Sequence, residues 1–126
     1  MKSESCAWPA IALLLFTVAG RPQCVHAHHS FAMFDKDRLV TLQGTVRKVE
    51  YTNPHVFLFV EVPAQKGAQQ WAIECGSINY VSRIGWKVNT VKVGDRVKVT
   101  VNPLRNGKPG GSIKTLTLSN GTVIEG

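Results

Sequence analysis

Val40-Thr41-Leu42-Gln43-Gly44-Thr45-Val46-Arg47-Lys48-Val49-Glu50-Tyr51, then Thr52-Asn53-Pro54, then His55-Val56-Phe57-Leu58-Phe59-Val60-Glu61-Val62, is the stretch whose reading decides the fold. Its first seven residues alternate with period two, which puts Val40, Leu42 and Val46 on one face of a strand. The parity then slips, because Val49 and Tyr51 carry the apolar positions after Arg47-Lys48. A one-residue slip in a long strand marks a bulge, and bulges let a strand bend round a barrel corner. Thr52-Asn53-Pro54 breaks the run with turn chemistry. In the second strand Val56, Leu58, Val60 and Val62 form an aliphatic face, with His55, Phe57, Phe59 and Glu61 opposite.

Toward the C-terminus the signals stay mostly β. Pro63 to Ala68 reads as a loop, and Trp71, Ile73 and Cys75 alternate along a third strand with Ala72 and Glu74 opposite. Ser77 to Gly85 is the one helical stretch, with Ser77 as N-cap and Gly85 as the residue past its end. Val97-Lys98-Val99-Thr100-Val101 is an amphipathic fourth strand, led in by Val91-Lys92-Val93-Gly94-Asp95. Asn106-Gly107 and Pro109-Gly110-Gly111 mark a loop. Ile113–Leu118 and Thr122–Ile124 then form a terminal hairpin, for which Asn120-Gly121 predicts a type I′ turn. The expected fold is mainly all-β: a small five-stranded OB-like antiparallel β-barrel with one short helix between strands 3 and 4. Another small antiparallel barrel or sandwich is the alternative.

Toward the N-terminus the character changes. Residues 1–27 read as a secretory signal peptide: Lys2 is the positive start, Ala10–Ala19 the apolar run, and Val25-His26-Ala27 the small-residue cleavage site. A cut after Gly20 is the alternative. Pro9, Arg21 and Pro22 bracket too short a run to span a bilayer, which needs about 20 apolar residues. The expected organisation is a leader over 1–27, an extended segment over 28–38 and a barrel domain over 39–126, located in the periplasm or secreted, with no transmembrane anchor after processing. The whole chain has 126 residues, 15 Lys and Arg, 8 Asp and Glu, a net charge of +7 and three cysteines. Removing 1–27 takes away Lys2, Arg21, Glu4, Cys6 and Cys24. That leaves a 99-residue chain of charge +6 in which Cys75 stands alone, read as a buried thiol. Such a length builds one core and excludes a multidomain enzyme.

His28-His29-Ser30-Phe31, Phe34-Asp35, Leu42-x-Gly44-x-Val46, Thr52-Asn53-Pro54-His55, Glu74-x-Gly76-Ser77, Gly85-Trp86 and Val93-Gly94-Asp95 resemble an uncharacterised bacterial family of small exported domains. The resemblance covers essentially the whole chain after the leader. It implies a periplasmic location and an OB-like fold, and it brings no activity with it. A small or apolar residue is the family's expectation at Cys75, so the thiol departs from that pattern.

Processing supplies the most pointed functional feature. Cleavage after Ala27 exposes the α-amine of His28, which with its imidazole can chelate a metal, while His29 and His55 offer further nitrogens. A nitrogen-rich set with few carboxylates suits copper or another late transition metal. His-His can equally be a solvated chain start, and Asn53-Pro54-His55 a simple turn. Phe31, Met33 and Phe34 are expected to lay the N-terminal segment across Phe57 and Phe59, towards His55. The twelve residues from His28 to Val40 reach at most about 40 Å, so the segment would have to run nearly straight. The alternative is a metal-free module binding an anionic ligand, glycan or partner protein on the strand 2–3 face, with Phe57, Phe59 and Glu74 as that face. Export argues against nucleic acid. No Gly-x-Ser-x-Gly, His-Glu-x-x-His, phosphate loop or paired carboxylates occur, so catalysis without a metal is not expected.

Overall fold

The computed structural model describes residues 29–126, with side chains from Phe31 onward. The leader and His28 lie outside the described residues. In chain order the elements are α1 (His29–Ala32), β1 (Val40–Tyr51), β2 (Val56–Ala64), β3 (Gly67–Glu74), α2 (Ile78–Arg83), β4 (Arg96–Pro103), β5 (Gly110–Leu118) and β6 (Val123–Glu125). The sheet order is β3-β2-β1-β4-β5-β6, and a parallel β3–β5 pairing closes β1–β5 into a barrel with α2 between β3 and β4.

β1 serves two partners, which is why its sequence slips. Its first half pairs with β4, from Val40↔Val101 to Thr45↔Arg96. Its second half pairs with β2, and the register shifts between Val46 and Lys48, where the parity slip predicts a bulge. Val46 turns its backbone aside there. It donates to the Asp95 carbonyl (2.9 Å) and accepts from Gly94 N–H (2.8 Å). Leu58, Val60, Ile73, Val99, Val101 and Leu116 are fully buried at the centre of the barrel. Each is an inward position of the alternation, so one residue of slip would turn the set outward.

α2 plugs one end of the core with Val81. Ser77 Oγ accepts from Tyr80 N–H at its start (3.2 Å). At its end Gly85 takes φ +99°, and Trp86 N–H reaches back to the Val81 carbonyl (2.9 Å). This six-to-one bond across a left-handed glycine stops the helix and folds Trp86 under it.

Four expectations change. The Pro63–Ala68 loop is mostly strand: β2 and β3 run to Ala64↔Gly67, leaving only Gln65-Lys66 between them. The last hairpin does not use a type I′ turn, because Asn120 lacks a positive φ and only Gly121 has one, +87°. Gly121 N–H instead bonds the Leu118 carbonyl (3.0 Å), a type I turn closed by a left-handed glycine. β5 starts at Gly110, three residues early, since Gly110 and Gly111 make the pairing that closes the barrel. A Cβ on Gly111 would sit 2.6 Å from the Asn102 carbonyl oxygen, so that closure needs glycine. Finally, residues 29–32 of the segment expected to be extended form one helical turn.

Candidate functional site

His55 precedes β2 and Glu74 ends β3. Phe57 faces Glu74 across the pair, so His55 and Glu74 are diagonal neighbours on the outer face. His55 Nδ1 stands 3.0 Å from Glu74 Oε1, with both side chains largely buried. Burial pushes the Glu74 carboxyl above its usual range and His55 opposes that shift. A carboxylate beside Nδ1 holds the ring's proton there and leaves Nε2 with the free lone pair. Thr52 Oγ1 donates to the His55 carbonyl (3.0 Å), so the turn is secured by the backbone of His55 and its imidazole is left for other work.

The pair opens into a cavity of about 370 Å³ whose walls include Phe31, Cys75, Ser77, Tyr80, Ser112 and Lys114. Phe31 lies two residues after His29, so α1 arrives at the cavity that His55 lines. The route differs from the expected one. The segment need not run straight along β1. It is strapped to the end of β4: Asp35 N–H bonds the Pro103 carbonyl (2.8 Å), Arg105 N–H bonds the Met33 carbonyl (2.9 Å), and Phe34 bridges to Leu104. Asn102, buried although polar, donates to the Arg38 carbonyl (2.7 Å) and fixes the strap. Of the three apolar residues only Phe34 is buried, while Phe31 and Met33 remain exposed. The β3–β5 closure sets Ser112 beside Glu74. A chain strapped to the β4 end therefore reaches His55 across the barrel seam without running the length of β1.

Among the described residues no three His, Cys, Asp or Glu side chains gather. His55 and Glu74 meet; His28 lies outside the described residues, and only the backbone of His29 is placed. Sequence reading singled out Glu74 as part of a ligand face, but it missed Ser112 and Lys114, which the β3–β5 closure brings to the cavity, and Tyr80, which α2 carries there.

Cys75 is buried, as its place in the alternation predicts. Burial and the neighbouring Glu74 push its thiol up to about 12. At pH 8 only about one thiol in ten thousand would be ionised. Maleimide or disulfide reagents at that pH should leave Cys75 unmodified in the folded protein and label it fully in denaturant, as read by peptide mapping. Rapid labelling in the native state would contradict the burial.

Phe57 and Phe59 are half-buried neighbours, with ring centroids 6.5 Å apart and Lys48 Nζ over the Phe59 ring at 5.6 Å. A larger groove of about 650 Å³, to which His55 does not contribute, is walled by Gln43, Glu61, Arg96 and Lys98. Glu61 is already engaged there by Arg47 at 2.6 Å.

A meander β1–β2–β3, a plugging helix, and a β4–β5 hairpin closed by a parallel β3–β5 pair define the OB-like class of barrel. Within that class the chain belongs to a family of unknown function, DUF6152, whose pattern matches residues 16–114. No curated protein matches it. Among solved structures, the mitochondrial single-stranded DNA binding protein Rim1 of S. cerevisiae is similar, with a TM-score of 0.51 at 12% identity. The match covers 65% of this chain and 93% of that one, and it speaks to fold alone.

Proposed function

We propose that this protein is an exported binding protein that takes up a transition metal, copper above all, at its processed N-terminus. Cleavage after Ala27 supplies the His28 amine and imidazole, His29 adds a second imidazole, and His55 Nε2 completes a nitrogen set. The observation that carries the reading is at His55. Glu74 occupies its Nδ1 side, and the cavity beside it is walled by Phe31, two residues from His29. Metal-bound histidines are regularly oriented by such a carboxylate. Three or four nitrogens without thiolate favour Cu(II) over magnesium or calcium.

The test begins with expression from the native leader and mass determination of the mature N-terminus, followed by Cu(II) titration. Chain starting at His28 should bind at least about tenfold more tightly than a variant carrying one extra residue before it, because the extension removes the amine from the chelate. Equal affinities would end the amine-chelate reading.

A second reading rests on Phe57 and Phe59. These half-buried rings, with Lys48 over Phe59, would form the face for an anionic ligand, glycan or partner protein. Saturable binding of an anionic oligosaccharide, lost in Phe57→Ala and unaffected by copper, would favour this reading over the first.

A further inference from the structure

β3 has a free edge that natural sheets usually protect. It pairs with β2 along its whole length but with β5 only from Ala72 to Glu74. Gly67 to Gln70 are exposed. Exposed edges are generally blunted by charge, proline or a bulge. Gly67-Ala68-Gln69-Gln70-Trp71-Ala72-Ile73 carries no charge and no proline, in a chain with 23 Lys, Arg, Asp and Glu, and its register on β2 has no shift. The other edge strand, β6, is only three residues long.

The direction of the free groups follows from one bond. Ala72 N–H points away from β2, to the Pro109 carbonyl (3.3 Å). Backbone groups alternate sides along an antiparallel strand, so Gln70 and Ala68 also turn their N–H and C=O outward. Among the described residues neither has a strand beyond it. This spacing is self-complementary. Two copies set antiparallel about a two-fold axis at Gln69 place Ala68 opposite Gln70 of the second copy, and the reverse. All four N–H groups then donate to the four facing carbonyls. In the same register Trp71, half-buried, lies opposite Gly67 of the second copy, which has no side chain to obstruct the indole. No charge faces a like charge within the paired run.

We propose that the β3 edge is a homodimerisation edge, joining two barrels through antiparallel pairing of Gly67–Trp71 centred on Gln69. The second copy is favoured over an unrelated peptide because one five-residue segment meets every requirement of the edge from both sides. This inference is independent of metal binding.

Sedimentation of the full protein across the micromolar range should reveal a concentration-dependent dimer. Gln70→Pro removes two of the four bonds while leaving the β2 side intact, since its N–H faces outward. It should be monomeric with an unchanged circular dichroism spectrum. Gln69→Lys opposes two like charges on the axis and should weaken the dimer roughly fivefold. Residues facing each other in the non-bonded register have Cα atoms about 4.5 Å apart, close enough for a disulfide. With oxidised glutathione, Gln69→Cys should therefore cross-link through position 69 in both copies, mapped by mass spectrometry, well beyond Gln70→Cys, whose equivalents are diagonal. A monomer at every concentration, or equal cross-linking at positions 69 and 70, would overturn the proposal.

Discussion

Gly44→Ala is expected to destabilise the barrel by about 3 kcal/mol or more, a large part of a small domain's total stability. Gly44 lies in β1 just where that strand passes from β4 to β2, opposite Val97 and one residue before the Thr45↔Glu61 pair. A Cβ there would strike the Glu61 carbonyl oxygen and lie 2.8 Å from Val60 Cγ1. Side chains at a tight spot can rotate away; a carbonyl already built into the β1–β2 ladder cannot. The requirement is steric, since Gly44 is not among the glycines with positive φ. Urea denaturation provides the check, with exposed Gln43→Ala as the neighbouring control, expected within about 0.5 kcal/mol of the parent protein. A Gly44→Ala midpoint indistinguishable from that control would mean the two halves of β1 are less tightly pressed than the structure indicates.

The second large effect concerns the metal. If His55 Nε2 is a ligand, His55→Ala should weaken Cu(II) binding by about 100-fold, and Glu74→Gln by about tenfold through loss of ring orientation. Both side chains lie at the rim of the barrel, outside its core, so thermal unfolding should change little. Binding should also weaken in acid for the parent protein, because each nitrogen must lose its proton to take the metal. The two variants divide the possibilities. Unchanged copper affinity in both, alongside a loss on N-terminal extension, would leave a chelate of His28 and His29 alone and remove His55 from the site.

Much of the barrel was legible because its signals are local. The bulge at Val46 is written in the parity slip at Arg47-Lys48, and the helix ends are written in Ser77 and Gly85. The misreadings also have physical causes. Asn-Gly is the strongest short-range signal for a type I′ turn, yet the hairpin at Gly121 adopts a type I turn with one left-handed residue. Gly110 and Gly111 read as loop because glycine is depleted in strands. They are strand because only glycine lets β5 approach Asn102 and Leu104 while it pairs with β3. Asn102 gave no sign of its role, since a polar residue at an outward position looks solvated until the N-terminal strap covers it.

The sequence by itself determined the succession of strands along the chain, the inward faces of the first four, the two helix caps and the buried fate of Cys75, because alternation and capping depend on residues a few places apart. It also put histidine at positions 28, 29 and 55. Only the tertiary structure decided where the described part of the N-terminal segment lies relative to His55. Measured along β1, the N-terminal segment and His55 look a strand's length apart. A closed barrel has no such length: its last strand returns beside its third, and Ser112 meets Glu74 there. The strap on Pro103–Arg105 therefore delivers Phe31 to the cavity of His55 by the short way round.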